Sequence, residues 1–277
     1  MPRFTTLLSL LTLVGVSVLF FLVAGQRLAE RNLRAMILSD RATAALQAND
    51  PLKAEELLTQ VGALNPETPN LWTRRALARM SLGQYEEAIV AAMEELKDKP
   101  TDINTIGLLG AAQILSDDPD AGDETLTVGH QIDPSNRPIV QNLSELRRMQ
   151  QRPAEAAEIL DGYLTENPSD MFFQFKRAMA DVAGDLPDHR RADVVSYLKT
   201  GRATAGVYVI GCAIDLRDGK PEEARLKLAQ ASKIASPQDM QKMMEDIFFR
   251  EHITALQLGG DVPQTEDPPL PLVTPSS

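Results

Sequence analysis

Side chains that usually carry catalysis or bind metals are few and scattered in this chain. The three histidines, His130, His189 and His252, stand far apart, and none has a histidine or cysteine four residues away, the spacing of ligands on a metal-binding helix. The sequence also contains neither a glycine-rich phosphate loop nor the Gly-x-Ser-x-Gly elbow of serine hydrolases. We therefore expect no metal ion and no cofactor.

The remaining reactive groups have structural explanations. Cys212 is the only cysteine, so it can form neither an intramolecular disulfide nor a cysteine-based metal cluster. Asp117, Asp118 and Asp120 lack the spacing and the terminal glutamate of a calcium-binding EF-hand loop, and we expect a solvated turn there. The charged run at residues 188–191 is typical of a solvated helix start. The sequence thus predicts no catalytic residue and a protein that is not an enzyme.

The composition favours packed helices and disfavours a nucleic-acid partner. The chain has 277 residues, of which 43% are hydrophobic, so a sizeable core is possible. Aromatic residues make up only 5%, whereas alanine and leucine are abundant, which favours helices over a β-sandwich. The formal net charge is −11, and phosphate backbones require a basic surface. We expect no nucleic acid to bind.

A repeat with a period of 34 residues organises the chain. Four prolines mark it, each 34 residues after the one before: Pro66, Pro100, Pro134 and Pro168. A fixed period of this length is the signature of a repeat architecture. With these prolines at position 32, the frame predicts six units, at residues 35–68, 69–102, 103–136, 137–170, 171–204 and 205–238.

Positions outside the proline series follow the same frame. Position 8 is small in every unit, at Ala42, Ala76, Gly110, Ser144, Ala178 and Cys212. Position 20 is small in five units, at Ala54, Ala88, Gly122, Ala156 and Ala224. Small residues allow two helices to approach closely, and a proline at position 17 of five units favours the first turn of a second helix. Each unit is therefore predicted to be a helix, a short turn and a second helix.

This pattern resembles the tetratricopeptide repeat family. The second unit matches the family signature best, through Trp72, the run at residues 83–89 and Pro100. The fifth unit is the most degenerate, with Arg190 in place of a small residue. The resemblance covers about residues 35–238. It implies an all-α, right-handed α-solenoid of about six helix–turn–helix repeats with a concave groove.

The C-terminal part departs from the repeat. Apolar residues recur at helical spacing over residues 239–260, which predicts a helix that caps the last open face of the solenoid. Residues 261–277 contain five prolines and no periodic pattern. They are therefore predicted to form a disordered, proline-rich tail.

The N-terminal part is predicted to meet a membrane. Residues 4–26 contain no charged side chain, and a membrane-spanning helix needs about 20 mostly apolar residues. We expect one transmembrane anchor within residues 1–26, with a cleaved signal peptide as the alternative, followed by a juxtamembrane linker or helix at residues 27–34. Arginines after the span favour a cytoplasmic domain, whereas a short N-terminal tail favours an exported one. Between these orientations, we expect a single-pass protein of a bacterial-type inner membrane with its soluble domain outside the cytoplasm.

Ligands of tetratricopeptide repeat proteins usually lie against the first helix of each unit. No unit here has the lysine and asparagine pair at positions 5 and 9 that the carboxylate clamp of co-chaperones requires. The predicted lining instead mixes amide and apolar side chains, which suits an apolar or amphipathic peptide segment. The candidate groove residues are Asn70, Leu77, Met80, Asn104, Gln141, Asn142, Phe172, Phe175 and Met179, with Leu115 beside them. The alternative is that several of the apolar ones pack between units.

These features together predict a membrane-tethered scaffold or adaptor. Its partner would be a protein, either a peptide segment or a subunit of a membrane complex, and the adaptor would assist assembly of a membrane or envelope complex. Two alternatives stay open: an accessory subunit of an enzyme complex, and a structural homo-oligomer built through the solenoid.

Overall fold

In a computed structural model, the chain folds into α-helices joined by short turns. The structure describes residues 2–184, 187–199, 203–246 and 248–249, without the side chains of residues 2–18, 20, 189 and 197. This part of the chain contains thirteen helices and no strand. The helices are α1 (Pro2–Gln47), α2 (Pro51–Leu64), α3 (Leu71–Ser81), α4 (Tyr85–Asp98), α5 (Ile103–Leu115), α6 (Pro119–Ile132), α7 (Arg137–Met149), α8 (Pro153–Glu166), α9 (Met171–Ala183), α10 (Asp188–Lys199), α11 (Ala205–Arg217), α12 (Pro221–Ile234) and α13 (Pro237–Met244).

Helices that follow one another in the chain pack against each other. α1 lies against α2, α3 against α4, α7 against α8, and α11 against α12. The prediction of an all-helical, solenoid-like repeat fold is confirmed. The helices form two compact units, an N-terminal unit that ends at Ala112 and a C-terminal unit that begins at Gln113.

A residue in the left-handed conformation recurs in the turn inside the helix pairs. The φ angles lie between 56° and 72° at Asn49, Gly83, Asp117, Gln151 and Gly219. In each case the next residue donates its backbone N–H to the carbonyl five residues earlier, at 2.8–2.9 Å. This bond closes the end of the first helix, as in a Schellman motif. Glycine and asparagine adopt a positive φ at low cost, which explains why they recur at this place.

Proline opens the helix that follows most of these turns. It is the first residue of α2, α6, α8 and α12. The missing N–H of proline needs no partner at this position, and its fixed φ suits a helix. Asp50 and Asp118 add side-chain caps, because their carboxylates accept from the N–H of Lys53 at 3.2 Å and of Ala121 at 3.1 Å. The 34-residue period therefore arises from residues that recur in the turns as well as from residues that recur in the packed core.

Small residues lie where helices cross in the N-terminal unit. Ala42 of α1 and Ala54 of α2 are fully buried in one apolar cluster with Leu58, Val61 and Leu71. Alanine at both crossing points allows the two helix backbones to approach closely.

Helix α1 is continuous over 46 residues, from Pro2 to Gln47. Two hydrogen bonds join it to the end of α2. Arg31 donates through Nη2 to the carbonyl of Leu64 at 2.8 Å, and Asn65 donates through Nδ2 to Oδ1 of Asn32 at 3.2 Å. The stretch at residues 27–34 is therefore helical and in contact with the repeats.

The predicted membrane anchor at residues 4–26 falls in the first half of α1. None of the helices in the described part of the chain combines the length and the apolar character that a membrane span requires. Most side chains of the predicted anchor lie outside the described residues. The anchor stays a prediction.

The single capping helix predicted for residues 239–260 falls only in part on described residues, because residue 247 and residues 250–260 lie outside them. Over the described part, the helix is not continuous. Helix α13 ends at Met244, and the chain turns at Glu245 and Asp246. The turn forms because the Asp246 carboxylate accepts the N–H of Phe248 at 3.1 Å, which replaces a bond of a continuing helix. The predicted disordered tail at residues 261–277 lies outside the described residues.

Candidate protein-interaction groove

Helix α7 buries a polar face together with an apolar one. Every residue from Ile139 to Arg148 is buried. The apolar residues of this stretch are Ile139, Val140, Leu143 and Leu146, and the polar ones include Gln141, Asn142, Glu145 and Arg148. Charged side chains removed from water require partners of opposite charge. The partners of this face come from neighbouring helices and from Asp246, which follows α13.

Arg148 is held by Asp246, which lies 98 residues later in the sequence. Two parallel hydrogen bonds join them, from Nη1 to Oδ2 at 2.8 Å and from Nη2 to Oδ1 at 2.6 Å. Both side chains are 1% exposed, so the pair is closed to solvent. Bidentate pairing of guanidinium and carboxylate is among the strongest polar contacts in proteins, and it fixes orientation as well.

Glu145 and Lys176 complete this charge cluster, which we define as Glu145, Arg148, Lys176 and Asp246. Nη1 of Arg148 donates to Glu145 at 3.2 Å. Nζ of Lys176, on α9, donates to Glu145 at 3.1 Å and to Asp246 at 3.3 Å. The cluster therefore holds two cationic and two anionic side chains and is electrically balanced.

The cluster keeps Arg148 and Asp246 charged in spite of burial. Burial alone would lower the pKa of Arg148, but the carboxylates of Asp246 and Glu145 raise it above the ordinary value. Burial alone would raise the pKa of Asp246, but Arg148 and Lys176 hold it below the ordinary value. The site thus favours an ionised carboxylate.

Two aromatic side chains close to Asp246 in the sequence pack into an apolar cluster. Phe248 and Phe249 are buried, and their rings meet edge to face with centroids 5.7 Å apart. They belong to one apolar cluster with Met179 of α9 and with Val209 and Cys212 of α11. We call Asp246, Phe248 and Phe249 the C-terminal segment. This segment pairs with charged side chains of α7 and α9 and shares an apolar cluster with α9 and α11, and we call the surface that these three helices present to it the groove.

Two hydrogen bonds within the C-terminal segment stabilise its turn. The N–H of Phe248 binds the Asp246 carboxylate at 3.1 Å, and the N–H of Phe249 binds the Asp246 carbonyl at 3.0 Å. One tight turn therefore presents the carboxylate to the charge cluster and two rings to the apolar cluster.

Comparison with known families identifies the repeat in part of the N-terminal half. Residues 39–103 match the tetratricopeptide repeat family. The predicted resemblance is therefore confirmed over this stretch. Tetratricopeptide repeats generally mediate protein–protein interactions, so protein binding is the functional class that the match supports.

Two solved structures are similar to this chain. One is a tetratricopeptide repeat protein from Parabacteroides merdae, with 16% identity, a TM-score of 0.42 and coverage of 77% of this chain and 98% of that one. The other is a structure of Naa15/Naa10 bound to HypK-THB, with 16% identity and a TM-score of 0.48. The match covers 80% of this chain and 34% of the length of that one.

The structure places two predicted groove residues, Phe175 and Met179, in the apolar cluster that contains the C-terminal segment. Phe175 packs half-buried against the apolar cluster that contains Phe248 and Phe249, and Met179 is fully buried within it. Gln141 and Asn142 are buried on α7. Leu115 is partly buried at the end of α5.

Phe172 lies at the edge of this set and is 37% exposed. Its ring packs edge to face against Phe173 with centroids 5.2 Å apart. The Arg137 guanidinium lies 5.2 Å from its centroid, and Nζ of Lys176 lies 5.9 Å from it. Phe172 is therefore a partly exposed ring beside the charge cluster, flanked by cations.

The predicted residues of the N-terminal unit lie in two places. Asn70 and Asn104 line a surface depression of about 510 Å³, where Oδ1 of Asn70 accepts a hydrogen bond from Nζ of Lys99 at 2.7 Å. Leu77 is half-buried on α3, and Met80 is buried on the same helix.

Sequence reasoning did not select the charge cluster as part of the groove. Glu145 and Arg148 occupy positions 9 and 12 of the tetratricopeptide frame, where ligands of this family usually lie, so a charged pair at these positions was the available signal. Asp246 gave no such signal, because it lies in a stretch with helical periodicity and suits a solvated helix face.

The environments of the other reactive side chains do not indicate a catalytic or metal-binding role in the described residues. Burial raises the pKa of the Cys212 thiol to about 12, so the group is uncharged at neutral pH and a weak nucleophile. Burial lowers the pKa of His130, and its Nδ1 has no hydrogen-bond partner. The side chain of His189 and all of His252 lie outside the described residues. No metal-binding group of histidine, cysteine and carboxylate side chains occurs within the residues that the structure describes.

Proposed function

We propose that this protein is a non-enzymatic, membrane-tethered scaffold that binds a partner protein in the groove of its repeats. Residues 4–26 would anchor it in a bacterial-type inner membrane, with the repeats outside the cytoplasm. The partner would be a segment of a membrane or envelope protein, and the scaffold would assist assembly of the complex that contains it.

One observation supports polypeptide binding above all. The groove of the C-terminal unit already holds a polypeptide segment from elsewhere in the chain, through a bidentate ion pair and two buried rings. A surface that combines charged side chains with buried apolar ones can recognise both the charge and the shape of a bound polypeptide segment. The match of residues 39–103 to the tetratricopeptide repeat family supports the same class of function.

Purification of the full chain from membranes, with a tag after Ser277, tests this proposal. A specific partner protein should co-purify with the unmodified chain. Lys176→Met should reduce its recovery at least tenfold, because this lysine lies beside Phe172 and contacts both carboxylates of the charge cluster.

Lys227→Met provides the matched control. Lys227 also pairs with a buried aspartate, Asp215 on α11. Among the described residues, it forms no ion pair with Asp246. Its replacement should leave recovery of the partner unchanged. Equal losses in both variants, or recovery of no protein from membranes, would contradict the proposal.

Removal of residues 1–26 tests the membrane tether separately. The shortened chain should move from the membrane fraction to the soluble fraction, while circular dichroism shows the same helix content per residue for the repeats. If it stays in the membrane fraction, residues 1–26 are not the anchor.

A further inference from the structure

The contacts of the C-terminal segment define the chemistry of the partner. We propose that the groove of the C-terminal unit binds a partner segment with a carboxylate two residues before a pair of adjacent aromatic residues, and that this segment replaces the chain's own C-terminal segment. The inference rests on the proposed function and specifies its ligand.

The charge of the groove favours such a ligand. Without Asp246, the cluster would retain Arg148 and Lys176 against the single carboxylate of Glu145, and so carry one uncompensated positive charge. Arg148 is 1% exposed and Lys176 12% exposed in the occupied groove, so their charges are poorly screened. A carboxylate from another segment would restore the balance with the same bidentate geometry.

The apolar part of the groove requires aromatic rings behind that carboxylate. Phe249 is fully buried and Phe248 nearly so, in the same apolar cluster as Met179, Val209 and Cys212. Their departure would expose this apolar surface to water, and two adjacent rings of a partner would cover it again. The spacing follows from the turn, because the carboxylate accepts the N–H of the residue two positions later.

The C-terminal segment can be exchanged because it is self-contained. Its turn uses hydrogen bonds within the segment, so a short peptide of another protein can form the same turn. The connecting helix α13 has no buried residue, and its methionines Met240, Met243 and Met244 are only partly buried against the groove. Release therefore uncovers the side chains of the segment and the sides of these three methionines that pack against the apolar cluster.

The fit of the internal segment is also incomplete. Nε of Arg148 is buried without a hydrogen-bond partner. A buried charged donor that lacks an acceptor weakens the occupied state relative to a ligand that supplies one. A partner segment with an additional carbonyl or carboxylate at this point would bind more tightly than the chain's own segment.

Peptide binding to the full chain in detergent tests the proposal. The probe is a fluorescein-labelled peptide with the sequence of residues 243–252, and the control probe carries asparagine in place of the aspartate at 246. Fluorescence anisotropy measures the dissociation constant for the unmodified chain and for the variant Phe248→Ala with Phe249→Ala, whose groove is open. The open variant should bind the probe at least tenfold more tightly than the unmodified chain, and it should bind the asparagine peptide at least tenfold more weakly than the probe.

Lys176→Met in the open variant provides a second measurement. It should weaken binding of the aspartate probe and leave binding of the asparagine peptide unchanged, whereas Lys227→Met should affect neither. Asp246→Asn removes the charge of the segment but keeps its two rings. It replaces the double alanine variant if circular dichroism shows that the double variant is unfolded.

Three results would overturn the inference. The first is a folded open variant that does not bind the probe, and the second is equal binding of the two peptides. The third is a dimer, seen by light scattering, that dissociates when the probe is added, since the occupant would then be a second copy of this chain. If the probe fails while a partner still co-purifies in a Lys176-independent manner, this ligand assignment fails and protein binding by the scaffold stands.

Discussion

Replacement of Arg148 by methionine removes the centre of the charge cluster. The guanidinium makes hydrogen bonds of 2.6 Å and 2.8 Å to Asp246 and one of 3.2 Å to Glu145, all in a buried environment. Loss of one member of a buried ion pair leaves the other charge uncompensated and costs about 3–5 kcal/mol. Lys176 remains within 3.3 Å of both carboxylates and compensates in part. We therefore expect a loss near the lower end, about 3 kcal/mol of unfolding free energy.

Urea unfolding followed by far-ultraviolet circular dichroism measures this loss. With a dependence of about 2 kcal/mol per molar urea, the midpoint should fall by about 1.5 M. Lys97→Met is the control, because Lys97 forms a solvent-exposed pair with Glu94 within α4. Exposed pairs of this kind contribute about 0–1 kcal/mol, so the control midpoint should shift by at most about 0.5 M.

The double variant Arg148→Met with Asp246→Leu separates charge from packing. Apolar residues of similar volume often replace a buried ion pair without loss, so the double variant should recover at least half of the stability that Arg148→Met loses. The reasoning is refuted if Arg148→Met behaves like the control, or if the double variant loses the sum of the two single effects.

Three further predictions follow from other features. The folded-state pKa of Asp246 lies below its ordinary value. Its contribution is therefore complete above the unfolded-state pKa near 3.9 and is lost as pH falls through the folded-state value. Urea midpoints of Asp246→Asn should consequently fall less below pH 4 than those of the unmodified chain. Gly219→Ala should lower the unfolding free energy by about 1 kcal/mol, because its φ is 71°; Gly162→Ala, at an open helical site in α8, should instead raise it by about 0.5–1 kcal/mol. Both are measured by urea unfolding, and equal effects would contradict the turn assignment. Cys212, with a pKa of about 12, should resist iodoacetamide at pH 8 until urea unfolds the chain, as mass spectrometry can follow.

The repeat fold could be predicted because its determinants are local and periodic. Proline at the start of α2, α6, α8 and α12 acts within a single turn of helix. The left-handed residues that end the preceding helices act over five residues. These residues recur from unit to unit, so the repeat can be recognised even where one unit lacks some of them.

The content of the groove could not be predicted in this way. The bond between Arg148 and Asp246 joins residues 98 positions apart and occurs once in the described residues, so no period reveals it. The apolar spacing of Met240, Met243 and Met244 predicted a helix correctly, but it did not show where that helix ends. The end depends on a carboxylate whose partner belongs to a distant repeat unit.

The continuity of helix α1 has a geometrical consequence for the proposed membrane tether. A helix of 46 residues is about 69 Å long and turns by about 100° for each residue. With residues 4–26 in a bilayer, α1 would join the first repeat to the membrane as one continuous helix. Its rotation is fixed by the hydrogen bond that Arg31 donates to the carbonyl of Leu64 and the one that Asn32 accepts from Asn65. The azimuth of the N-terminal unit about the membrane normal is then set by the number of residues between bilayer and repeat. One residue inserted there would turn that unit by about 100° and carry it about 1.5 Å further from the membrane.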